Sequence, residues 1–459
     1  MIEVIKDATI ITKEFIVKNE AETVTKSDEA RSTTDLTKYP IVWINDIQIN
    51  SGDIKEMRIN YNSFMPTLEM KFSDATNLFS DESFPTDNII ISVHKESNVN
   101  KHMSFKIDFK ITTLNLIKVI TKAGDSMSET LIYEINAVIN VDDLYMQSFE
   151  SYKGTSYNVL KEISSNMELG FASNITSTDD EMIWVNNADY KKELMKQIIS
   201  KSYLTDNTFL YGYIDVYYNF VFVDIEKLLS ADISEQMLFV EIEDKPKKVP
   251  LILTNKGDKS GSPLFIKNFR VLNTSTKVHL DYGYRQILRE YNRNTDEINM
   301  FSLDSISDED GNNIILKGND NESDKLYDKM LAGVWKGKLD LDNTHSKYLE
   351  SDLQNATNMK YMQKLKMKIS LGEINYGLYR FQKVLIELYN NQKLKNADKT
   401  QKNIQESDDH KIINKLSGEW LIISMEIKFS NESGNSQELT LIKRELTEKY
   451  TFPRRQKEN

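Results

Sequence analysis

A chain of 459 residues with 58 basic and 70 acidic side chains carries a formal charge of −12, which disfavours non-specific phosphate binding, a task that needs concentrated positive charge. It has no cysteine, which excludes disulfides, thiolate nucleophiles and cysteine-based metal sites and fits folding in a reducing cytoplasm. With 39% hydrophobic residues, 16 glycines and 7 prolines, the composition is that of a folded protein with room for roughly two to four domains.

Residues 1–40 read as an arm: a possible strand from Ala8 to Val17, then a polar run (KNEAETVTKSDEARSTTDLTK) with too little apolar surface to fold alone. Such an arm is either a solvated tail or a strand donated to a neighbour. Its start, MIEVIKDATIITKEF, has acidic residues and no long apolar core, so it is not expected to be a secretory signal. No stretch reaches the roughly 18 apolar residues of a spanning helix, so a soluble protein without membrane insertion is expected.

From 41 to 145 apolar residues fall at every second position. Leu68, Met70 and Phe72 form one run and Ile89, Ile91 and Val93 a second. Phe105, Ile107, Phe109 and Ile111 form a third, and Leu131, Tyr133, Ile135, Ala137 and Ile139 a fourth. Period two predicts strands with one buried face, hence an antiparallel sandwich or barrel. Ser51-Gly52-Asp53 and Ala123-Gly124-Asp125 supply turn chemistry, and Pro40, Pro66 and Pro85 fall at edges or loops.

The period changes over 146–250. Val159, Leu160, Ile163 and Met167 share a helical face, with Thr155 or Ser156 as cap and Gly170 near the end. A second helix runs through ADYKKELMKQIISKS, with Tyr190, Leu194, Met195, Ile198 and Ile199 on one side and Asn187 as its expected cap. NTFLYGYID and YNFVFVDI read as buried strands, which makes this an α/β module.

Lys245-Pro246-Lys247-Lys248-Val249-Pro250 marks a junction. A second β domain is expected over 251–290 and 360–447, with Leu365, Met367, Ile369 and Leu371 alternating, then Leu421, Ile423, Met425, Ile427 and Phe429, then Leu439 and Leu441. It is interrupted by an Asp/Asn-rich insertion at 291–359 that ends in a helix around SKYLESDLQNATNMKYM, and by a polar loop, NNQKLKNADKTQKNIQESDDHK. Residues 448–459 form a basic C-terminal tail, which reads as solvated. The fold class expected is α+β, mainly β: two antiparallel β-barrel or sandwich domains with an α/β module between them.

Chemical motifs are absent from the sequence. The five histidines (His94, His102, His279, His345 and His410) form no HExxH, and no pair sits at i, i+4. There is no G-x-S-x-G elbow and no P-loop. Placing Gly311 of DEDGNN at position 6 of a calcium loop puts Ile306 at position 1 and Lys317 at position 12, where oxygen ligands are required, so an Asp-Gly turn is the better reading. Tyr211, Tyr213, Tyr217, Tyr218, Phe220 and Phe222 could form a sugar or base platform, but at strand spacing packing is the simpler role. No catalytic, cofactor-binding or metal-binding residue is therefore predicted.

Several segments, taken in order, carry a resemblance. These are GTSYNVLKEISSNMELGFASN, MIWVNN, SYLTDNTFLYGYIDVYYNFVFVDIEKLL, FRVLNTSTKVHLDYGYRQ, NYGLYRFQKVLIELYN, LSGEWLIISMEIKFS and NSQELTLIKREL. Together, over about residues 40–447, they resemble the baseplate central hub proteins of contractile-tailed, T-even-like phages and, more distantly, the hub part of type VI secretion spike proteins. The resemblance implies a non-enzymatic virion structural protein of a contractile injection system, with no cofactor, located in the tail baseplate and assembled in the host cytoplasm. It implies two tail-tube-like β domains per chain and a homotrimer, so that three chains present a ring of six and adapt a threefold spike to a sixfold tube. Its partners would be the tail tube protein, a spike or tail lysozyme protein and other baseplate components. DNA would pass through the lumen without sequence-specific binding. Two other classes stay open: a tail-associated peptidoglycan hydrolase with an unrecognised carboxylate pair, and a carbohydrate- or receptor-binding tail protein.

Overall fold

The computed structural model describes residues 40–45, 47–74, 79, 90–95, 105–123, 126–206, 208–216, 218–230, 237–241, 265–273, 286–292, 296–302, 333–339, 344–363, 365–371, 374, 378, 380–388, 416–431 and 434–443. The N-terminal arm, the Gly124–Asp125 turn, Pro85, the Lys245–Pro250 junction, the DEDGNN turn, the loop at 390–411 and the C-terminal tail lie outside these residues.

The first ladder gives β1 (Ile41–Ile44), β2 (Ile47–Ile49), β3 (Ile54–Asn60), β4 (Thr67–Asp74), β5 (Ile90–Lys95), β6 (Phe105–Ala123) and β7 (Ser126–Ile139). Alternation sets its buried face: Leu68, Met70 and Phe72 of β4 are buried, as are Tyr133, Ile135, Ala137 and Ile139 of β7. The turn before β3 is closed by Asp53 N donating to Asn50 O at 2.9 Å.

Next come β8 (Gln147–Gly154), α1 (Ser156–Asn166), β9 (Gly170–Ser173), β10 (Met182–Tyr190), α2 (Lys191–Lys201), β11 (Leu210–Ile214), β12 (Asn219–Asp224) and α3 (Ile225–Ser230). Thr155 caps α1, accepting from Asn158 N. The expected cap of α2 at Asn187 is corrected: Asn187 lies within β10, and Tyr190 takes the cap position without a side-chain bond. The cause is local. Asn186 Oδ1 accepts from Asp189 N at 3.0 Å and its Nδ2 donates to Asp189 O at 2.9 Å, which holds a bulge with Ala188 at φ 66 and delays the helix. β12 is buried at every residue, as expected of a strand covered on both faces. It runs parallel to β9 and antiparallel to β11. Gly212 of β11 lets α2 lie close, since a Cβ there would come 2.7 Å from Ile199 Cδ1.

The remainder gives β13 (Met237–Glu241), β14 (Phe265–Asn273), β15 (Gln286–Asn292), β16 (Glu297–Ser302), β17 (Gly333–Leu339), α4 (Tyr348–Met362), β18 (Leu365–Leu371), β19 (Lys383–Glu387), β20 (Gly418–Ser430) and β21 (Ser436–Ile442). β15, β16 and β17 form a separate three-stranded sheet.

The fold is mainly β with an α/β module between the ladders. Both ladders lie in one 13-stranded sheet, ordered β19-β13-β14-β18-β21-β20-β3-β4-β7-β6-β5-β1-β2. β20 of the second ladder pairs with β3 of the first and, at its start, also with β19, so the second-ladder strands β19, β13, β14, β18, β21 and β20 pair in a cycle, whereas the first ladder stays open among the described residues. All neighbours are antiparallel except β13, which runs parallel to both β14 and β19.

Candidate functional site: a charge-paired face across the strand junction

The junction of the two ladders is built by backbone pairing and then locked by side chains. Glu426 faces Asn60, Lys428 faces Arg58 and Ser430 faces Glu56 across the β20–β3 ladder. Tyr61 N donates to Met425 O at 2.8 Å just beyond it. At the other end Asn431 Nδ2 donates to the carbonyls of Ser51, Gly52 and Ile54, the last at 2.7 Å.

Beneath the junction sits Arg380, buried at 5% exposure. Its Nε donates to Ile423 O at 2.8 Å and its Nη1 to Ser63 O at 2.7 Å, which joins second-ladder and first-ladder backbone through one guanidinium. The plane stacks on Tyr213, 4.6 Å from the ring centre, and Nη2 reaches Tyr211 Oη at 3.3 Å. Carbonyl dipoles and ring faces therefore solvate this buried cation. The aromatic cluster of the α/β module thus serves packing: Tyr211 and Tyr213 also contact Phe381, Phe220 contacts Phe64 and Phe171, and Tyr218 Oη accepts from Asp108 N at 2.8 Å. Tyr217 lies outside the described residues.

The solvated face across the junction is charged in both signs. Lys368 pairs with Glu438; Arg58 and Lys428 both reach Glu56, at 2.5 and 3.0 Å; Lys71 pairs with Glu134 at 2.6 Å. Arg58 also lies 3.9 Å from Glu426, and Asn60 Nδ2 donates to Glu69 at 3.4 Å. Cross-strand register places these side chains on one face, so cations and carboxylates come near balance. Burial resists ionisation of Glu56, but the hydrogen bonds from Lys428 and Arg58 outweigh it and hold the carboxyl below its usual range. Glu426 goes the other way: burial, then the neighbouring Glu438, pushes its carboxyl up.

No reactive constellation accompanies this face. Among the described residues no group of three or more His, Asp or Glu side chains could hold a metal ion. His345 is a buried packing residue. Its Nε2 lies 3.0 Å from Lys201 O, its ring stands against Trp184 and Tyr348, and burial lowers its pKa. The side chains of His94, His102, His279 and His410 lie outside the described residues. Among the described residues no helix is long and apolar enough to cross a membrane. Sequence reading missed the charge-paired face, because its members come from strands whose pairing leaves no local signal; the alternating polar positions of each ladder were the visible half of it.

No protein-family model matches the chain, and no curated protein does. Solved structures do. A tail protein from Neisseria meningitidis aligns at TM-score 0.49 and 8% identity, over 88% of this chain and 96% of that one. A 43 kDa tail protein of prophage MuSo2 from Shewanella oneidensis aligns at TM-score 0.49 and 7% identity, over 89% and 98%. A type VI secretion component from E. coli aligns at TM-score 0.41 and 9% identity, over 90% and 78%.

Proposed function

We propose that the chain is the central hub of a contractile tail or related injection apparatus, a non-catalytic structural protein acting as a homotrimer. The observation that carries this reading is the β20–β3 junction. It joins two alternating ladders in one sheet, so a single chain supplies two side-by-side wall segments with a common polar face. In this reading residues 41–145 and residues 251–290 with 360–447 are the two tube-like domains, 146–250 is the outer α/β module and 291–359 an insertion. Three such chains in a ring present six wall segments, which reconciles a threefold spike with a sixfold tube. One end of the ring holds the spike or tail lysozyme protein, and the other starts the first ring of tube protein. The charge-paired face looks onto the lumen. There a near-neutral wall lacks the concentrated cations that would release counterions from DNA and hold it, so the polyanion slides through.

Light scattering on the purified chain, alone and with its spike protein, tests the reading, together with polymerisation of purified tube protein seeded by the complex. A trimer that shortens the lag of tube growth is the expected result. A chain that stays monomeric with its spike partner present, or that clears a cell-wall zymogram, overturns it.

A further inference from the structure

β8 and β10 form a ribbon that pairs with no other strand among the described residues. Its register sorts the side chains onto two faces. On the inner face Trp184 and Asn186 of β10 are buried, with Tyr152 half-buried beside them. Trp184 Nε1 donates to Gly154 O at 3.0 Å and Asn186 Nδ2 to Ser148 Oγ at 3.0 Å, so this face is closed by packing and by its own bonds.

The outer face is built differently. Phe149, 84% exposed, stands diagonal to Val185, 50% exposed, and Ile183 continues the line two residues along β10. Met146 and Tyr190 extend the exposed apolar surface at one end of the ribbon. Ser151 and Asn187 fill the positions between, and Lys153 is the one charged side chain among the paired positions of this face. Single exposed apolar side chains are ordinary on a protein surface, but a contiguous stripe of them marks a docking surface.

We propose that this stripe is the seat of the chain's own N-terminal arm, with residues 8–17 lying across the outer face of the ribbon in the same chain. Residues 1–39, which lead into β1, lie outside the described residues. Their apolar stretch, ATIITKEFIV, puts Ile11, Phe15 and Val17 on one side at strand period, a match in kind for Phe149, Val185 and Ile183. It carries one cation and one anion, Lys13 and Glu14, so it meets a face whose one charge is Lys153 without net repulsion.

The tether is long enough. β1 and β7 stand three strand spacings of about 4.8 Å apart, through Ile44 opposite Ile91, Ile91 opposite Phe109 and Phe109 opposite Ile139. Tyr145 Oη donates to Ile139 O at 3.3 Å, and β8 with Phe149 follows directly. The path from Ile41 to Phe149 is therefore at most roughly 50 Å, against about 70 Å for residues 18–39 fully extended. Tethering also makes the contact intramolecular, with an effective concentration on the order of millimolar, so weak docking suffices. The inference goes beyond the hub reading and does not depend on it, because the ribbon stands outside the 13-stranded sheet.

Trypsin reads the contact, since Lys13 lies inside the docked stretch. In the full-length chain cleavage after Lys13 is expected to be slow. Phe149→Asp is expected to speed it at least tenfold, and a side chain this exposed can be changed without unfolding the ribbon. Ile11→Asp combined with Phe15→Asp, the same change made on the arm, is expected to act alike. The chain has no cysteine, so thiols can be placed at will. A chain carrying both Phe15→Cys and Val185→Cys is expected to cross-link within itself under a short bis-maleimide at any dilution, and a mixture of the two single variants to give no linked pair. Equal cleavage after Lys13 in wild type and Phe149→Asp overturns the proposal. A linked pair from the mixture also overturns it and makes the occupant a second copy. Light scattering on Phe149→Asp is expected to match wild type, so this inference and the hub reading stand or fall separately.

Discussion

Asn355 Nδ2 donates to the carbonyl of Ser202 at 3.0 Å and also reaches Ser200 O at 3.2 Å, so one side chain of α4 caps the C-terminal end of α2. Ser351 Oγ donates to Lys201 O at 2.8 Å from the same helix, and Asn355 Oδ1 accepts from Leu210 N at 3.2 Å. The last carbonyls of a helix have no partner within it and are commonly satisfied by a following glycine. Here another helix does that work, which fastens α4 to the α/β module. Asn355→Ala leaves several buried backbone groups unpaired and is expected to cost about 2 kcal/mol, read as a lower urea midpoint. An unchanged midpoint would show that water replaces the amide.

One turn further along α4, Asn358 is 1% exposed and neither its Oδ1 nor its Nδ2 has a hydrogen-bond partner. A buried amide with nothing to bond bears its full desolvation cost, whereas an apolar side chain of similar size does not. Asn358→Leu is expected to stabilise the chain by about 1 kcal/mol, measured as a higher melting temperature at unchanged secondary structure. A drop of that size would reveal an ordered water bridging the amide.

Glu56 carries the pH dependence of the junction. Its folded-state pKa lies below the usual 4.5, so its stabilising effect is present above that value and fades as pH falls through the folded one. Glu56→Gln removes the partner of both Arg58 and Lys428. It is expected to cost about 1 kcal/mol near neutral pH, a figure kept small by solvent screening of a partly exposed group. Against wild type the deficit should shrink as pH falls through the folded-state value, below which both side chains are neutral. Denaturant midpoints across an acid pH series check this; a deficit that stays constant down to the acid limit of folding would mean a packing role.

The ladders were legible because alternation is a local property. Leu68, Met70 and Phe72, or Leu439 and Leu441, announce a buried face from their spacing alone, and each pair of runs is buried as read. What joins the ladders was not legible. The register Lys428 to Arg58 depends on two segments at opposite ends of the chain meeting, and nothing in either segment encodes the other. The β8–β10 ribbon escaped for a different cause. In QSFESYKG the large apolar residue, Phe149, is 84% exposed, so the binary pattern points away from a strand buried on one face. Asn187 looked like a helix cap because residue type marks caps well, but the bulge held by Asn186 moved the helix start past it.

The charge balance of the junction face leads to the most direct functional prediction. If DNA passes this wall because cations there are matched by carboxylates, then inverting carboxylates should make it stick. Glu69→Lys together with Glu438→Lys adds charge on strands β4 and β21 and strips Lys368 of its partner, while the backbone pairing of both strands is left in place. The wild-type protein is expected to show no measurable affinity for duplex DNA at about 0.15 M salt, and the double variant to bind with an affinity that falls steeply as salt rises. Fluorescence anisotropy across a salt series reads both, and the slope reports how many phosphates the protein engages. In particles carrying the variant, DNA release should slow while tail assembly proceeds, because the substituted side chains lie on the face and not at the strand edges. Tight, salt-sensitive binding by the wild type would instead place a basic surface in the lumen and turn this face outward.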